Sequence, residues 1–405
     1  MSNPEPAIAI NGLVRRYGKH DAVNGLDLTV RPGRCYGLFG RNGAGKTTTI
    51  KCLLNLLRPD AGSVRVFARS GTTWAEEAAL SRIAPVASDL FGTSVAAPGD
   101  GGRVAIGVPS DDTRGFAAGS VRVFLRSGTA WGEESVLLDA GGTGSDDLGT
   151  SVAITPDGTR VVSGAPGDAT ASGNWAHVFV RGATWAYESR LTLTGGTSLD
   201  EVGCAVAISA DGGTIVVGAR SRDLPASNAG AVTVHTRSGA TWTERATLAA
   251  PRGAANDFFG TAVAIAGDGT RLLGGVPSGD TISGSGAGYA LVHSGAAGTW
   301  TAEAELFAPG AAALDAFGTV VALSTDGSVA LVGAPGWNGT SNGGAFVLRR
   351  AGATWALEAE LSLPVRLAPA ALGSSVALAA DGTRAIVGAP TANVAWVFRS
   401  SGSTW

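Results

Sequence analysis

From Gly62 onward the chain alternates between short apolar runs and small polar turns. The runs are Val-rich, about five to seven residues long, and separated by Asp-Gly, Pro-Gly and Ser-Gly pairs. A period of two puts one set of side chains on each face of a strand, and the pairs supply tight turns, so the pattern predicts antiparallel hairpins. Residues before 62 read differently. An apolar strand at 37–39 gives way to a glycine loop and then to a Leu-rich run of helical character.

The strand pattern repeats with a unit of about 50 to 58 residues. A glycine before a Val-Ala pair opens each unit: Gly92, Gly149, Gly203, Gly260, Gly318 and Gly373. An Asp-Gly turn follows (Asp100, Asp157, Asp211, Asp268, Asp326, Asp381), then an apolar run ending in a Gly-Ala-Pro-like turn, then a third run. Each unit closes on Trp and an acidic, apolar segment, the closing residues being Trp74, Trp131, Trp185, Trp242, Trp300, Trp355 and Trp405. Four strands per unit make a meander that cannot cover both of its faces. Repeated meanders of this length predict radial packing into a propeller.

At these landmarks the repeat resembles the FG-GAP repeat of integrin α-chain propellers and their bacterial relatives, over residues 62–405. Phe91-Gly92, Phe259-Gly260 and Phe317-Gly318 carry the first half of the name, and Gly164-Ala165-Pro166, Gly333-Ala334-Pro335 and Gly388-Ala389-Pro390 the second. Five full units, three strands of the last unit and the segment Thr73 to Leu80 supply twenty-four strands, enough for six closed blades. In that arrangement Thr73 to Leu80 is the outer strand of the last blade, and closure of this kind is also what the resemblance implies. A ring of seven positions with one half-blade is the alternative, and it leaves a sheet edge exposed.

Composition fits this picture. Glycine accounts for 61 of 405 residues and charged residues for only 16%, which excludes coiled coils and long helical proteins. A net charge of −3 gives no nucleic-acid footprint, and no apolar stretch is long enough to span a membrane. The N-terminus lacks the basic-then-apolar order of an export signal, which predicts a cytoplasmic protein, although propeller relatives are often extracellular. Cys35, Cys52 and Cys204 form neither a disulfide framework nor a metal pattern.

Candidate chemistry in the repeats is thin. An Asp stands three residues before the landmark glycine at Asp89, Asp146, Asp200, Asp257 and Asp315, and is read as an acceptor for backbone N–H groups. Calcium-binding loops carry several alternating acids, whereas turns such as TPDGTR and AADGTR carry one each, so hairpin turns and no Ca²⁺ are expected. His177, His235 and His293 lie in third strands without a common register and are expected on the surface. The propeller is expected to bind a protein partner of unspecified kind.

Residues 37–50 read GLFGRNGAGKTTTI, meeting G-x-x-x-x-G-K-[ST] with Gly40, Gly45, Lys46 and Thr47 between a strand and a helix. Small residues let the N–H groups of Asn42, Gly43, Ala44, Gly45 and Thr48 converge on phosphate oxygens, and Lys46 neutralises their charge. Thr47 is the expected Mg²⁺ ligand. Residues 1–67 resemble the start of ABC-transporter ATPases, through LVRRYGKHDAVNGLDLTVRPGR and GLFGRNGAGKTTTIKCLLNLLRPDAGSV. The resemblance implies ATP with Mg²⁺, and Tyr17 as the aromatic stacked on adenine. Gln is absent from the chain, so that family's switch glutamine and LSGGQ signature are missing. The nearest Walker-B candidate, Val136 to Ala140, reads as repeat sequence, so hydrolysis is not expected.

The expected fold class is therefore mainly β: a propeller over 62–405 with a small truncated α/β phosphate-loop segment over 1–61. GSVRVF at Gly62 to Phe67 recurs from Gly119 to Phe124, and the expectation is that two coding regions are joined at this locally similar sequence, either in the genome or in assembly. Val64 to Phe67 can pair with ABC-like strands or with a blade, but not with both.

Overall fold

The computed structural model describes residues 8–17, 20–30 and 62–405, except for 72, 83–88, 140, 142–143, 168–173, 297, 338–341, 364–369 and 403. For the first two stretches only the backbone is described. They form an antiparallel hairpin of β1 (Ile8–Tyr17) and β2 (His20–Val30). The rest of the α/β segment expected at the N-terminus lies outside the described residues.

The remainder is a six-blade propeller preceded by one extra hairpin. That hairpin is β3 (Val64–Ser70) with β4 (Thr73–Leu80). Blade one is β5 (Val95–Ala96), β6 (Arg103–Val108), β7 (Ser120–Ser127) and β8 (Ala130–Leu137). Blade two follows with β9 (Ser151–Ile154), β10 (Arg160–Ala165), β11 (Trp175–Arg181) and β12 (Trp185–Leu191). Blade three is β13 (Val202–Ile208), β14 (Thr214–Ala219), β15 (Ala231–Ser238) and β16 (Thr241–Ala249). Blade four is β17 (Val263–Ile265), β18 (Arg271–Val276), β19 (Tyr289–Ala296) and β20 (Thr299–Leu306). Blade five is β21 (Val320–Leu323), β22 (Val329–Ala334), β23 (Gly344–Ala351) and β24 (Thr354–Leu361). Blade six has three strands: β25 (Ser375–Leu378), β26 (Arg384–Ala389) and β27 (Val394–Arg399). Each sheet is an antiparallel meander in chain order, as the four-run pattern predicts.

One expectation is corrected here. Thr73 to Leu80 does not complete blade six; it pairs with β3, from Val64↔Leu80 to Ser70↔Thr73. The cause is sequence redundancy at the junction: VRVFARS makes a third strand as good as any in the repeats, and a two-residue turn brings it straight back onto β4. Val64 to Phe67 therefore belong to a blade-type sheet.

Successive blades meet through the two glycine landmarks. Within blade two, Gly149 N donates to Gly164 O at 3.0 Å, fixing the first strand's start against the second strand's end. Across the blade boundary, a Cβ on Gly164 would stand 1.8 Å from Gly203 O of blade three. Gly203 itself sits at φ +93°, where an L side chain is strained. Backbone-on-backbone approach of this kind fills the propeller's inner zone. Further out, the centres of the second and third strands are buried between neighbouring blades; Val162, Val178, Val216, Val234, Leu331 and Val347 are all fully inaccessible. Among the described residues, no helix is long and apolar enough to cross a membrane.

Candidate functional site

The nucleotide-site residues read from sequence are mostly beyond the described structure. Gly40, Asn42, Gly43, Ala44, Gly45, Lys46, Thr47 and Thr48 lie outside the described residues. Tyr17 closes β1 and stands across from His20 at the start of β2.

In the propeller, the fold organises a lattice of ion pairs at the blade boundaries. Each of the strands β4, β8, β12, β16, β20 and β24 has Trp as its first or second residue, and the residue three further on is Glu77, Glu134, Glu188, Arg245, Glu303 or Glu358. The Trp of one blade donates its indole N–H to the Glu of the blade before: Trp131 to Glu77 at 2.9 Å, Trp185 to Glu134 at 3.1 Å, Trp242 to Glu188 at 3.1 Å, Trp355 to Glu303 at 2.9 Å and Trp405 to Glu358 at 2.9 Å. The exception follows from sequence, since the position that would face Trp300 is Arg245.

Arginines complete each cluster. Glu134 takes Arg103 Nε from its own blade at 2.8 Å and Arg181 Nε from the next at 3.0 Å. Glu303 likewise takes Arg271 Nε at 2.8 Å and Arg350 Nε at 2.6 Å. Burial works to raise these carboxyls, but the donated hydrogen bonds outweigh it and hold Glu134 and Glu303 down at about 2. They are thus permanently ionised, fully engaged acceptors, which suits them to locking blades together. The Trp-x-x-Glu spacing was visible in the sequence. That its two members serve different blades was not, because nothing local marks which neighbour each will face.

Three of the five acidic residues before the landmark glycines act as expected, while Asp89 pairs with Arg82. Asp200, Asp257 and Asp315 accept the backbone N–H groups of Thr197, Ala254 and Ala312 at 2.8, 2.8 and 2.6 Å. In the hairpin turns, Asp157 and Asp381 each accept the N–H two residues on, from Thr159 and Thr383, both at 3.0 Å. One carboxylate closes one turn, the chemistry of an Asx-turn. Asp139, in the Walker-B look-alike, takes Arg190 at 3.0 Å and so belongs to the blade lattice.

The histidines correct the sequence reading: His177, His235 and His293 are buried, not surface residues. Each is near the middle of its strand, on sheets whose neighbours cover both faces. Burial pushes all three imidazoles down to about 4; at His177 Asp139 pulls the other way and Arg190 adds to the fall, and at His235 Glu244 opposes it. The fold also sets Ser163 across from His177, whose Nε2 is 3.7 Å from Asp139 Oδ2. This Ser, His and Asp do not make a catalytic grouping. Ser163 donates to Ser151 O, and both Ser163 and His177 are wholly inaccessible to a substrate. Cys204 is half-buried on β13, and desolvation of its sulfur pushes the thiol up to about 11, which disfavours the thiolate.

Fold and lattice together define a propeller of FG-GAP repeats, and the comparisons agree. The FG-GAP repeat family matches residues 185–234, 242–291 and 300–348, each match beginning at the Trp of an outer strand. The ABC transporter family matches residues 23–96, which runs past the boundary expected at 61/62, through the β3–β4 hairpin and to the end of β5 in blade one. The chain thus joins an N-terminal segment similar to the start of ABC transporter ATP-binding proteins to FG-GAP repeats.

Among curated proteins, the Nod factor export ATP-binding protein I of Ralstonia nicotianae is 49% identical over 61 residues, covering 15% of this chain and 19% of that protein. The daunorubicin/doxorubicin resistance ATP-binding protein DrrA of Streptomyces peucetius is 51% identical over 72 residues, 18% of this chain and 22% of that protein. The chain spans about a fifth of the length of these relatives. Solved structures share the fold. A periplasmic gluconolactonase of Pseudomonas aeruginosa aligns with a TM-score of 0.58 at 12% identity, over 86% of this chain and 92% of that one. A putative 6-phosphogluconolactonase from Bacteroides uniformis aligns at 0.54 and 13% identity, over 77% and 82%.

Proposed function

We propose that residues 1–61 bind Mg-ATP without turning it over and that residues 62–405 are a scaffold for a protein partner. The observation that carries the first half is the phosphate loop within a segment half identical to proteins named as ATP-binding. The residue types suit a magnesium-bound triphosphate: the small residues among Gly40 to Gly45 would let backbone N–H groups approach phosphate oxygens, Lys46 would supply a cation, and Thr47 a hydroxyl for the metal. Tyr17 would stack on the base. Turnover needs a metal-binding acid, a general base and a signature loop, and the matched segment ends before any of them. This reading places the chain's action in the cytoplasm, where ATP is supplied.

Calorimetric titration with Mg-ATP tests the proposal. Saturable heat that disappears in Lys46→Ala is the expected result, and no heat from the unmodified chain overturns it. Phosphate release that Lys46→Ala abolishes would overturn the absence of hydrolysis. A second reading, an adhesion-type propeller with an inert N-terminal remnant, draws on the chain's coverage of only about a fifth of its ABC relatives. It predicts unchanged partner binding after Lys46→Ala.

A further inference from the structure

The boundary between blades three and four lacks the carboxylate that its sister boundaries hold. In each outer strand the ladder skips one residue, a β-bulge, and the skipped residues are Glu134, Glu188, Arg245, Glu303 and Glu358. A bulge re-aims the side chain it carries, here towards the next blade. Arg245 is turned the same way: the carbons of its stem lie 3.5–3.9 Å from where a Cβ on Gly298 of blade four would stand.

Three complete boundaries show what such a place holds. Glu134, Glu188 and Glu303 each take an arginine that opens the second strand of their own blade, and an arginine and a Trp of the next blade. Around Arg245 both of those arginines are replaced. Thr214 opens the second strand of blade three, where Arg103, Arg160 and Arg271 open theirs. Gly295 stands across from Trp300, whereas Arg181, Arg237 and Arg350 stand across from Trp185, Trp242 and Trp355.

The donors that remain are unspent. Arg245 gives its Nε to Thr236 Oγ1 at 2.8 Å, which fixes the guanidinium, and among the described residues its terminal nitrogens make no hydrogen bond or ion pair. Trp300 is half-buried against the core between blades three and four, as Trp242 is between blades two and three, yet among the described residues its indole N–H has no acceptor. A positive charge, a fork of N–H donors and an indole N–H therefore stand at the spot that a carboxylate occupies at three other boundaries.

We propose that this boundary binds a carboxylate carried by a ligand, its oxygens taken by the terminal nitrogens of Arg245 and the indole N–H of Trp300. A guanidinium fork matches a planar carboxylate with two parallel, charge-assisted hydrogen bonds, which a spherical anion cannot accept. A free organic acid and an acidic peptide side chain present the same group.

The test follows the indole N–H resonance of Trp300, assigned by its loss in Trp300→Phe. Acetate exchanged for chloride at constant ionic strength should shift it saturably. Arg245→Ala should weaken acetate binding about fivefold or more. Arg245→Glu should move the resonance without ligand and abolish the response, because the chain then supplies its own carboxylate. A resonance indifferent to acetate, phosphate binding as tight as acetate, or an undiminished response in Arg245→Ala overturns the proposal. Should Arg245→Ala lose its dispersed spectrum, Arg245→Gln, which keeps the stem over Gly298, decides by the same measurements. N-acetylglutamate α-amide in place of acetate distinguishes the sources: tighter binding assigns the place to an acidic peptide side chain, equal binding to a free acid.

Discussion

Blades five and six are built from nearly the same strand pattern but live in different surroundings. Leu331 and Val347 of blade five are fully buried, whereas their counterparts in blade six, Ile386 and Val397, are 40% and 43% exposed. The difference is the next blade. A propeller strand is buried by its neighbours, so identical local sequence gives a core residue in one blade and a surface residue in another. The same holds at the other end, where Phe67 of the β3–β4 hairpin is 51% exposed and its counterpart in blade one, Phe124, only 5%.

The largest expected effect that separates the two settings is acid sensitivity. The buried histidines stand in blades two, three and four, and blade six has none. An unfolded chain takes up their protons near 6.5 while the folded imidazoles resist until about 4. Their contribution is therefore complete above 6.5 and is lost as pH falls through that window. Hydrogen exchange followed from pH 7 to 4 should show blades two to four losing protection before blade six. Protection lost first in blade six would break the comparison.

Next comes the lattice. Glu303→Ala leaves Arg271, Arg350 and the Trp355 indole facing an empty place, and should cost about 3 kcal/mol in urea unfolding. Glu358→Ala, whose partner Arg349 is 43% exposed, should cost about 1 kcal/mol. Equal losses would mean that blade six is as tightly held as the others. A purely apolar version of the test replaces Val347 or Val397 by Ala. The first should lose about 2 kcal/mol and the second under about 0.5 kcal/mol, because only the first leaves a cavity.

The smallest effect is a gain. Arg245 occupies the place where other outer strands have Glu, so Trp300 faces no carboxylate there. Arg245→Glu should give Trp300 an acceptor and raise stability by about 1 kcal/mol. A loss on this change would show that the boundary between blades three and four has settled around the arginine, which now donates its Nε to Thr236 at 2.8 Å.

Much of this was legible in the residues. Period-two runs and Asp-Gly turns gave the strands, and the spacing of Trp131, Trp185 and Trp242 gave the blades. The acceptor role of Asp200, Asp257 and Asp315 followed from their place before a tight turn. Less legible were contacts between units. The histidines looked like surface residues because a strand position reveals one face of its sheet, not whether another sheet covers it. Thr73 to Leu80 fitted the last blade by strand count, but VRVFARS lay next to it in the chain and could reach it through a two-residue turn. Proximity decided that competition, since closing a short loop costs far less entropy than joining the two ends of the chain.

The sequence by itself determined everything set within a few residues: strand, turn, landmark glycine, and the phosphate-loop motif from Gly40 to Thr47. Tertiary structure alone decided which blade each Glu serves, that His177 is dry and that Val397 is wet. The physical reason is range. A turn is fixed by the φ angles and side-chain oxygens of adjacent residues, whereas burial and ion pairing at a blade boundary depend on groups about 50 residues away, and on whether those groups are there at all.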